Sequence, residues 1–389
     1  MAPVVSASPA GGWEGTWAAA PQRPAAPFGP SWSVDGFDNQ TVRQVVRLSQ
    51  GGPAVRIHLT NVYGTAPLSV TGATVGRAGS SATVDSLRPL TFGHSRSVVI
   101  PVGREVSSDV IVLPVRPLES VTVTLYFAGK TGQVTQHIDA EATTYRASGD
   151  HRADTSGAAF TETSTSWYVL NKVDVVDFSP RRDVVVAFGD SITDSYSSGV
   201  DVNSRYPDEL AERVRGRFGV LNAGIGGNRL LTDSQCLGDK GTSRFRADVL
   251  AQPHVRTVLV LEGINDIGFT DFGFDCAQPN PPVTAAQLIA GHRSLIHQAH
   301  AAGVRIIGAT LLPYKDAAYY SAAGEQTRDA LNTWIRSSGE YDAVVDLDRA
   351  MASPSDPDAI NPAYDSGDHL HPNAAGYHAM AEAVDLRQL

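Results

Sequence analysis

The hydroxyl of Ser191, in Gly189-Asp190-Ser191, is a poor nucleophile unless a base takes its proton, and candidate bases lie far downstream. In Asp365-Ser366-Gly367-Asp368-His369-Leu370-His371-Pro372 two carboxylate–imidazole pairs are available, Asp368 with His371 and Asp365 with His369. Neutral donors come from two further segments. Gly227 closes Asn222-Ala223-Gly224-Ile225-Gly226-Gly227, where the missing side chain lets a backbone N–H approach a substrate. Asn265, in Gly263-Ile264-Asn265-Asp266, ends in an amide that can be aimed at negative charge. Nucleophile, oriented base and preorganised donors are what acyl transfer through a tetrahedral intermediate requires. Singly, each residue has an ordinary explanation: a helix-capping serine, a turn glycine, a loop-capping asparagine, a solvated polar loop. Bare chemistry separates the two Asp/His pairs only weakly.

Elements able to position these residues follow Pro180. Asp183 to Phe188, Val220 to Asn222, Val258 to Glu262, Val304 to Thr310 and Ala343 to Leu347 read as buried strands, and Tyr206, Leu210 and Val214 mark one face of a helix. Thr284-Ala285-Ala286-Gln287 reads as a capping box opening a helix that Gly303 closes, and Pro372 fixes the start of a last helix. This β/α alternation predicts a parallel sheet wound on both faces, with reactive groups beyond the carboxyl ends of its strands. Ser191 follows the first strand, Gly227 the second, Asn265 the third and His371 the fifth. The four segments are therefore expected along one edge.

The first half reads differently. From Thr41 to Phe178 the pattern has period two, with Val55, Ile57 and Leu59 against Arg56, His58 and Thr60, and Val121, Val123, Leu125 and Phe127 against Thr122, Thr124 and Tyr126. Turns such as Tyr63-Gly64, Gly93-His94 and Pro101-Val102-Gly103 separate short strands, which predicts an antiparallel β-sandwich or jelly roll. Residues 1 to about 33 read as an irregular arm pinned by Trp13, Trp17, Phe28 and Trp32, packing anchors rather than groove residues.

At 389 residues two domains are expected, with boundaries at 1–178 and 179–389. Hydrophobic residues make up 42% and charged ones 19%, and no apolar run is long enough to span a bilayer, so a soluble folded chain without membrane insertion is expected. The net charge of -10, from 41 acidic and 31 basic residues, disfavours nucleic acid as partner. Oligomeric state is not legible. Met1-Ala2-Pro3 opens no signal peptide, and a mature secreted chain with an added Met would read the same.

In their order, Gly-Asp-Ser, Asn-x-Gly-x-x-Gly, Gly-x-Asn-Asp and Asp-x-x-His-Pro resemble the SGNH, or GDSL, hydrolase family over residues 181 to 389. The flanks of Ser191 are not Gly-x-Ser-x-Gly, so the elbow of ordinary α/β-hydrolases is absent. The resemblance implies a flavodoxin-like doubly wound sheet of five strands in order 2-1-3-4-5. It implies Ser191 as nucleophile, His371 as base, Asp368 as orienting carboxylate, and the Ser191 N–H, Gly227 N–H and Asn265 amide as oxyanion donors. It also selects Asp368 over Asp365, because only Asp368 has the spacing to His-Pro. The first half has no part in the match and looks like the β-rich region preceding some secreted members.

That strand order places the two cysteines. Cys236 follows strand two and Cys276 strand three, and those strands flank strand one, roughly 9.6 Å apart. A Cys236–Cys276 disulfide is expected to brace the rim around Ser191, nominally worth about 4 kcal/mol, and to indicate an extracellular setting.

The expected function is a secreted serine esterase working through an acyl-enzyme, needing no metal or organic cofactor. Its substrate is expected to be a small-molecule or polysaccharide ester, with a carbohydrate O-acetyl or short-chain ester first and a lipase or lysophospholipase activity as alternative. A rival of another class is a glycan-binding protein in which the hydrolase domain is a scaffold.

Overall fold

The computed structural model describes residues 12–177, 183–271 and 275–389. The expected domain boundary at 178/179 lies outside the described residues.

Five strands form the parallel sheet of the second half: β1 (Val184–Gly189), β2 (Gly219–Gly224), β3 (Val255–Leu261), β4 (Arg305–Ala309) and β5 (Ala343–Val345). Their order is 2-1-3-4-5, as expected, with Gly189 level with Gly224 on one side and Leu261 on the other. Every residue of β1 is buried, the mark of a central strand covered on both faces. The Thr284 capping box forms on the Ala285–Ala301 helix, and Gly303 follows its end at φ 70°. Tyr206, Leu210 and Val214 face the core from the Tyr206–Val214 helix, so the periodicity names the buried stripe.

The first half packs two antiparallel sheets around a second core. One contains Gly12–Ala18, Leu170–Asp177, Gly52–Thr60 and Glu105–Ser107, and the other contains Thr144–Ser148, Gln40–Arg47, Ser120–Phe127 and Gly72–Ala78. Val55, Ile57 and Leu59 from one meet Val42, Val46, Val121, Val123 and Leu125 from the other, so the period-two faces are the sandwich interior. The opposite face of Ser120–Phe127 is covered too. Thr122 and Thr124 are buried because Arg43 crosses above them, donating to Thr124 Oγ1 at 3.1 Å and to the Asp154 carbonyl at 2.6 Å while lying 4.0 Å from the Phe160 ring centroid.

Part of the arm departs from expectation. Gly12–Ala18 is an edge strand, Trp13 opposite Val176 and Trp17 opposite Val173. Its hydrogen bonds come from a segment more than 150 residues away, which local periodicity has no means of registering. The anchors behave as read at two positions, Trp17 meeting Trp167 edge-on at 4.8 Å and Trp13 lying 4.4 Å from the Arg56 guanidinium; Trp32 stacks on Tyr168 at 5.5 Å but also borders a cavity of about 630 Å3.

This strand also joins the two halves. Gly219 N–H donates to Glu14 Oε1 at 3.1 Å and Val220 N–H to Ser49 Oγ at 3.0 Å, closing the β2 edge that would otherwise face water. Gly15 keeps the contact close, since a Cβ there would stand 3.0 Å from the Leu221 side chain.

Candidate active site

β1 runs into its turn with no room for a side chain at Gly189, where a Cβ would lie 2.1 Å from Thr193 Oγ1 and 2.4 Å from the Leu261 carbonyl. Asp190 is the N-cap of the short Ser191–Asp194 helix, its Oδ1 accepting the Ile192 N–H at 2.9 Å. The cap is thus Asp190, and Ser191 is free to be the first helical residue with its hydroxyl turned elsewhere. Ser191 Oγ lies 2.8 Å from His371 Nε2, and His371 Nδ1 lies 2.6 Å from Asp368 Oδ2. Because a carboxylate only accepts, Nδ1 carries the proton and Nε2 is left to receive one from the serine. Burial opposes the charge on Asp368, yet the His371 ring with the Leu370 and His371 N–H groups holds its carboxyl well below the ordinary carboxylate range.

The His371 loop is tied to itself: Ser366 N–H reaches the His371 carbonyl at 3.0 Å, and Asn373 caps the Ala374–Ala383 helix through Gly376 N–H at 3.0 Å. Pro372 sits one residue ahead of that cap. The competing pair forms as well, His369 Nδ1 standing 2.7 Å from Asp365 Oδ2. His369 is half exposed and absent from the cavity wall that His371 shares with Ser191.

Gly227 adopts φ 71°, and a Cβ there would come 2.8 Å from Leu237 Cδ1. Among the described residues, the N–H groups of Ser191 and Gly227 donate to no protein acceptor. Asn265 is fixed at both ends of its amide, Nδ2 donating to the Asn228 carbonyl at 3.0 Å and Oδ1 accepting from Tyr319 at 3.2 Å, which leaves one amide N–H unspent. Ser191, Gly227, Asn265, Asp368 and His371 line a single cavity of about 420 Å3. Sequence reasoning named all five.

Below them lies a buried acidic layer. Burial pushes Asp190 up to about 7 and Asp266 up to about 6, and raises Glu262 too. Asp266 holds the Leu230 and Leu231 N–H groups at 2.7 and 2.9 Å, and Arg244 ties the Gly189 carbonyl to Glu262 at 2.8 and 3.2 Å. These groups fix the strand ends from beneath.

Cys236 and Cys276 are bonded, with Cα atoms 5.7 Å apart. Cys236 packs with Leu237 and Phe269, both on the cavity wall, so the brace stands where it was expected.

The first half supplies what sequence reasoning missed. His137 is buried with Nε2 3.0 Å from Asp194 Oδ1 and Nδ1 2.9 Å from the Ala20 carbonyl, while Asp194 Oδ2 accepts the Gly226 N–H at 3.2 Å. Burial opposes charge on His137, but with both nitrogens facing acceptors, the Asp194 carboxylate above all, its pKa is raised. The following residues grip the segment after Ser191: Ser197 N–H donates to Glu141 Oε1 at 3.0 Å, Thr143 N–H to Asp201 Oδ1 at 2.7 Å, and Arg205 to the Ala140 carbonyl. Tyr196, in that segment, packs on His371 with centroids 4.8 Å apart. Asp139 and Phe28 complete the cavity wall. Phe28 is therefore a site residue, correcting the expectation that it is only a packing anchor; a lone aromatic in a Pro-rich stretch carries no signal that distinguishes the two.

Residues 187–379 match the model of the GDSL-like Lipase/Acylhydrolase family. This part of the chain belongs to that family. The chain is accordingly a carboxylic ester hydrolase. It is similar in structure to the native M. smegmatis aryl esterase (TM-score 0.41, 16% identity, covering 52% of this chain and 95% of that one). It is also similar to an acetyl xylan esterase from Geobacillus stearothermophilus (TM-score 0.40, 23% identity, 53% of this chain and 94% of that one). No curated protein sequence matches the chain. Among its described residues no helix is long and apolar enough to cross a membrane.

Proposed function

We propose that Ser191 attacks the ester carbonyl while His371 takes its proton, Asp368 orienting the imidazole and stabilising its charge. The N–H groups of Ser191 and Gly227 and the Asn265 amide receive the oxyanion; His371 then protonates the leaving alcohol, and water repeats the sequence on the acyl-enzyme. The observation that carries this reading is the continuous line from Ser191 Oγ to His371 Nε2 at 2.8 Å and from His371 Nδ1 to Asp368 at 2.6 Å.

The substrate we assign is a carbohydrate O-acetyl or other short-chain ester, in an extracellular setting that the disulfide supports. A cavity of about 420 Å3 has room for a small acyl group beside a sugar-sized alcohol. Leu237, Phe269 and Leu370 also favour a second reading, a lipase-like preference for longer chains. Hydrolysis rates across p-nitrophenyl esters from acetyl to long-chain, beside acetylated xylan, separate the two: rates falling beyond butyryl support the first and rates rising with length the second.

A further inference from the structure

Asp139 lies on the wall of the cavity that holds Ser191, Tyr196 and His371, yet it comes from the first half of the chain. Its position is imposed from both sides. Ile138 N–H donates to Gln22 Oε1 at 2.8 Å and Ala140 N–H to the Thr165 carbonyl at 2.7 Å, and Asp139 between them takes φ 54°, in the left-handed region that Asp tolerates better than most side chains.

Neighbouring carboxylates are all occupied. Asp194 is held by His137 and Gly226, Glu141 by Ser197, and Asp201 by Thr143. Among the described residues no donor reaches the carboxylate of Asp139. Burial first, then the charges of Asp194 and Glu141, push it up to about 6 against the opposing charge of His137, so a hydrogen-bond donor arriving there finds an acceptor to which no described residue donates.

Chemistry fixes which half of the ester meets it. His371 delivers its proton to the leaving oxygen, so the alcohol must sit on the imidazole side, where Tyr196 packs on His371 and where the Asp139 charge raises the pKa of Tyr196 after the larger effect of burial. Leu237 and Phe269 supply apolar surface elsewhere in the same lining. Asp139 and Phe28 also border a second cavity of about 630 Å3, lined further by Trp32, Thr143 and Thr163, so space continues past them on the alcohol side.

We propose that Asp139 accepts a hydrogen bond from a hydroxyl of the substrate's alcohol half, making the enzyme selective for esters of polyhydroxylated alcohols. The proposal rests on the serine esterase reading above and names the alcohol that this site takes.

The test compares wild type, Asp139→Asn and Asp139→Ala on a monoacetylated methyl xyloside, p-nitrophenyl acetate and acetylcholine. The ratio of kcat/KM for the xyloside ester to that for p-nitrophenyl acetate is expected to fall about tenfold or more in Asp139→Ala, mainly through KM, with Asp139→Asn between the two because its amide oxygen still accepts. An unchanged ratio overturns the proposal, as does a larger loss on acetylcholine, which would make Asp139 a cation-binding group. Ser191→Ala is run beside them: turnover surviving in that variant sinks the esterase reading itself, whereas its loss with an unchanged ratio sinks only the role of Asp139.

Discussion

His137 Nε2 stands 3.0 Å from Asp194 Oδ1, and the second oxygen of the same carboxylate takes the N–H of Gly226, the residue before the proposed oxyanion donor Gly227. A side chain of the β-sandwich is thereby linked, through one carboxylate, to the loop that would hold the tetrahedral intermediate. His137 acts as a positioning residue. Replacing it with Gln leaves Asp194 without its cation, and about 3 kcal/mol of stability should be lost. In protein that stays folded at the assay temperature, kcat should fall about tenfold with KM nearly unchanged. A wild-type kcat, or a loss carried wholly by KM, would show that the link does not reach the loop.

The same pair fixes a pH dependence. The pKa of His137 is raised above its ordinary value of 6.5, so its stabilising effect is complete below about 6.5 and lost as pH rises through the higher folded value. Thermal unfolding of wild type against His137→Gln should show their difference shrinking with rising pH over that window. A difference that grows with pH would contradict the assignment of a charged imidazole.

Two histidines near the chain end carry carboxylate partners, but one faces the nucleophile. His371→Gln should lower kcat by about 10^4, whereas His369→Gln should change it less than about threefold, because the Asp365–His369 pair only shapes the loop. Comparable losses in both would mean that the loop, not the imidazole, is what matters.

Asn265→Ala should cost about 10^2 to 10^3 in kcat with little change in KM, the signature of a donor used in the transition state. Gly227→Ala should also cost about 1–2 kcal/mol in stability, because φ 71° disfavours a side chain and its Cβ would press on Leu237. Asn265→Ala should cost about 1–3 kcal/mol in stability as well, because the buried Asn228 carbonyl and the Tyr319 hydroxyl lose their partner, so kcat is read in protein that unfolding measurements show to be folded.

Removing the disulfide as the Cys236→Ser/Cys276→Ser pair should lower stability by about 2–4 kcal/mol. The bond closes a span of 40 residues and packs Cys236 against Leu237, so acetyl ester turnover should fall as well. Full activity in the double variant at a temperature where it is folded would limit the bond to a stabilising role.

Three of the functional groups were legible because each sat just beyond an apolar strand. Ser191, Gly227 and Asn265 each follow a strand whose burial is written in a short hydrophobic run, and sheet order then brings them together without any knowledge of side-chain contacts. Choosing His371 over His369 needed the family spacing, since both pairs form at nearly the same distance, 2.6 and 2.7 Å. The Gly12–Ala18 strand was hidden because its partner lies at the far end of the domain. His137, Asp139 and Phe28 were hidden for a related reason. Their roles arise where two cores meet, and one histidine, one aspartate and one phenylalanine in a β-rich half have no spacing or periodicity that announces that contact.

If Ser191 is the group that accepts the acyl chain, Ser191→Ala should lose turnover of p-nitrophenyl acetate. Its kcat should fall by about 10^4 or more with the fold intact by circular dichroism. Turnover within about tenfold of wild type would contradict it.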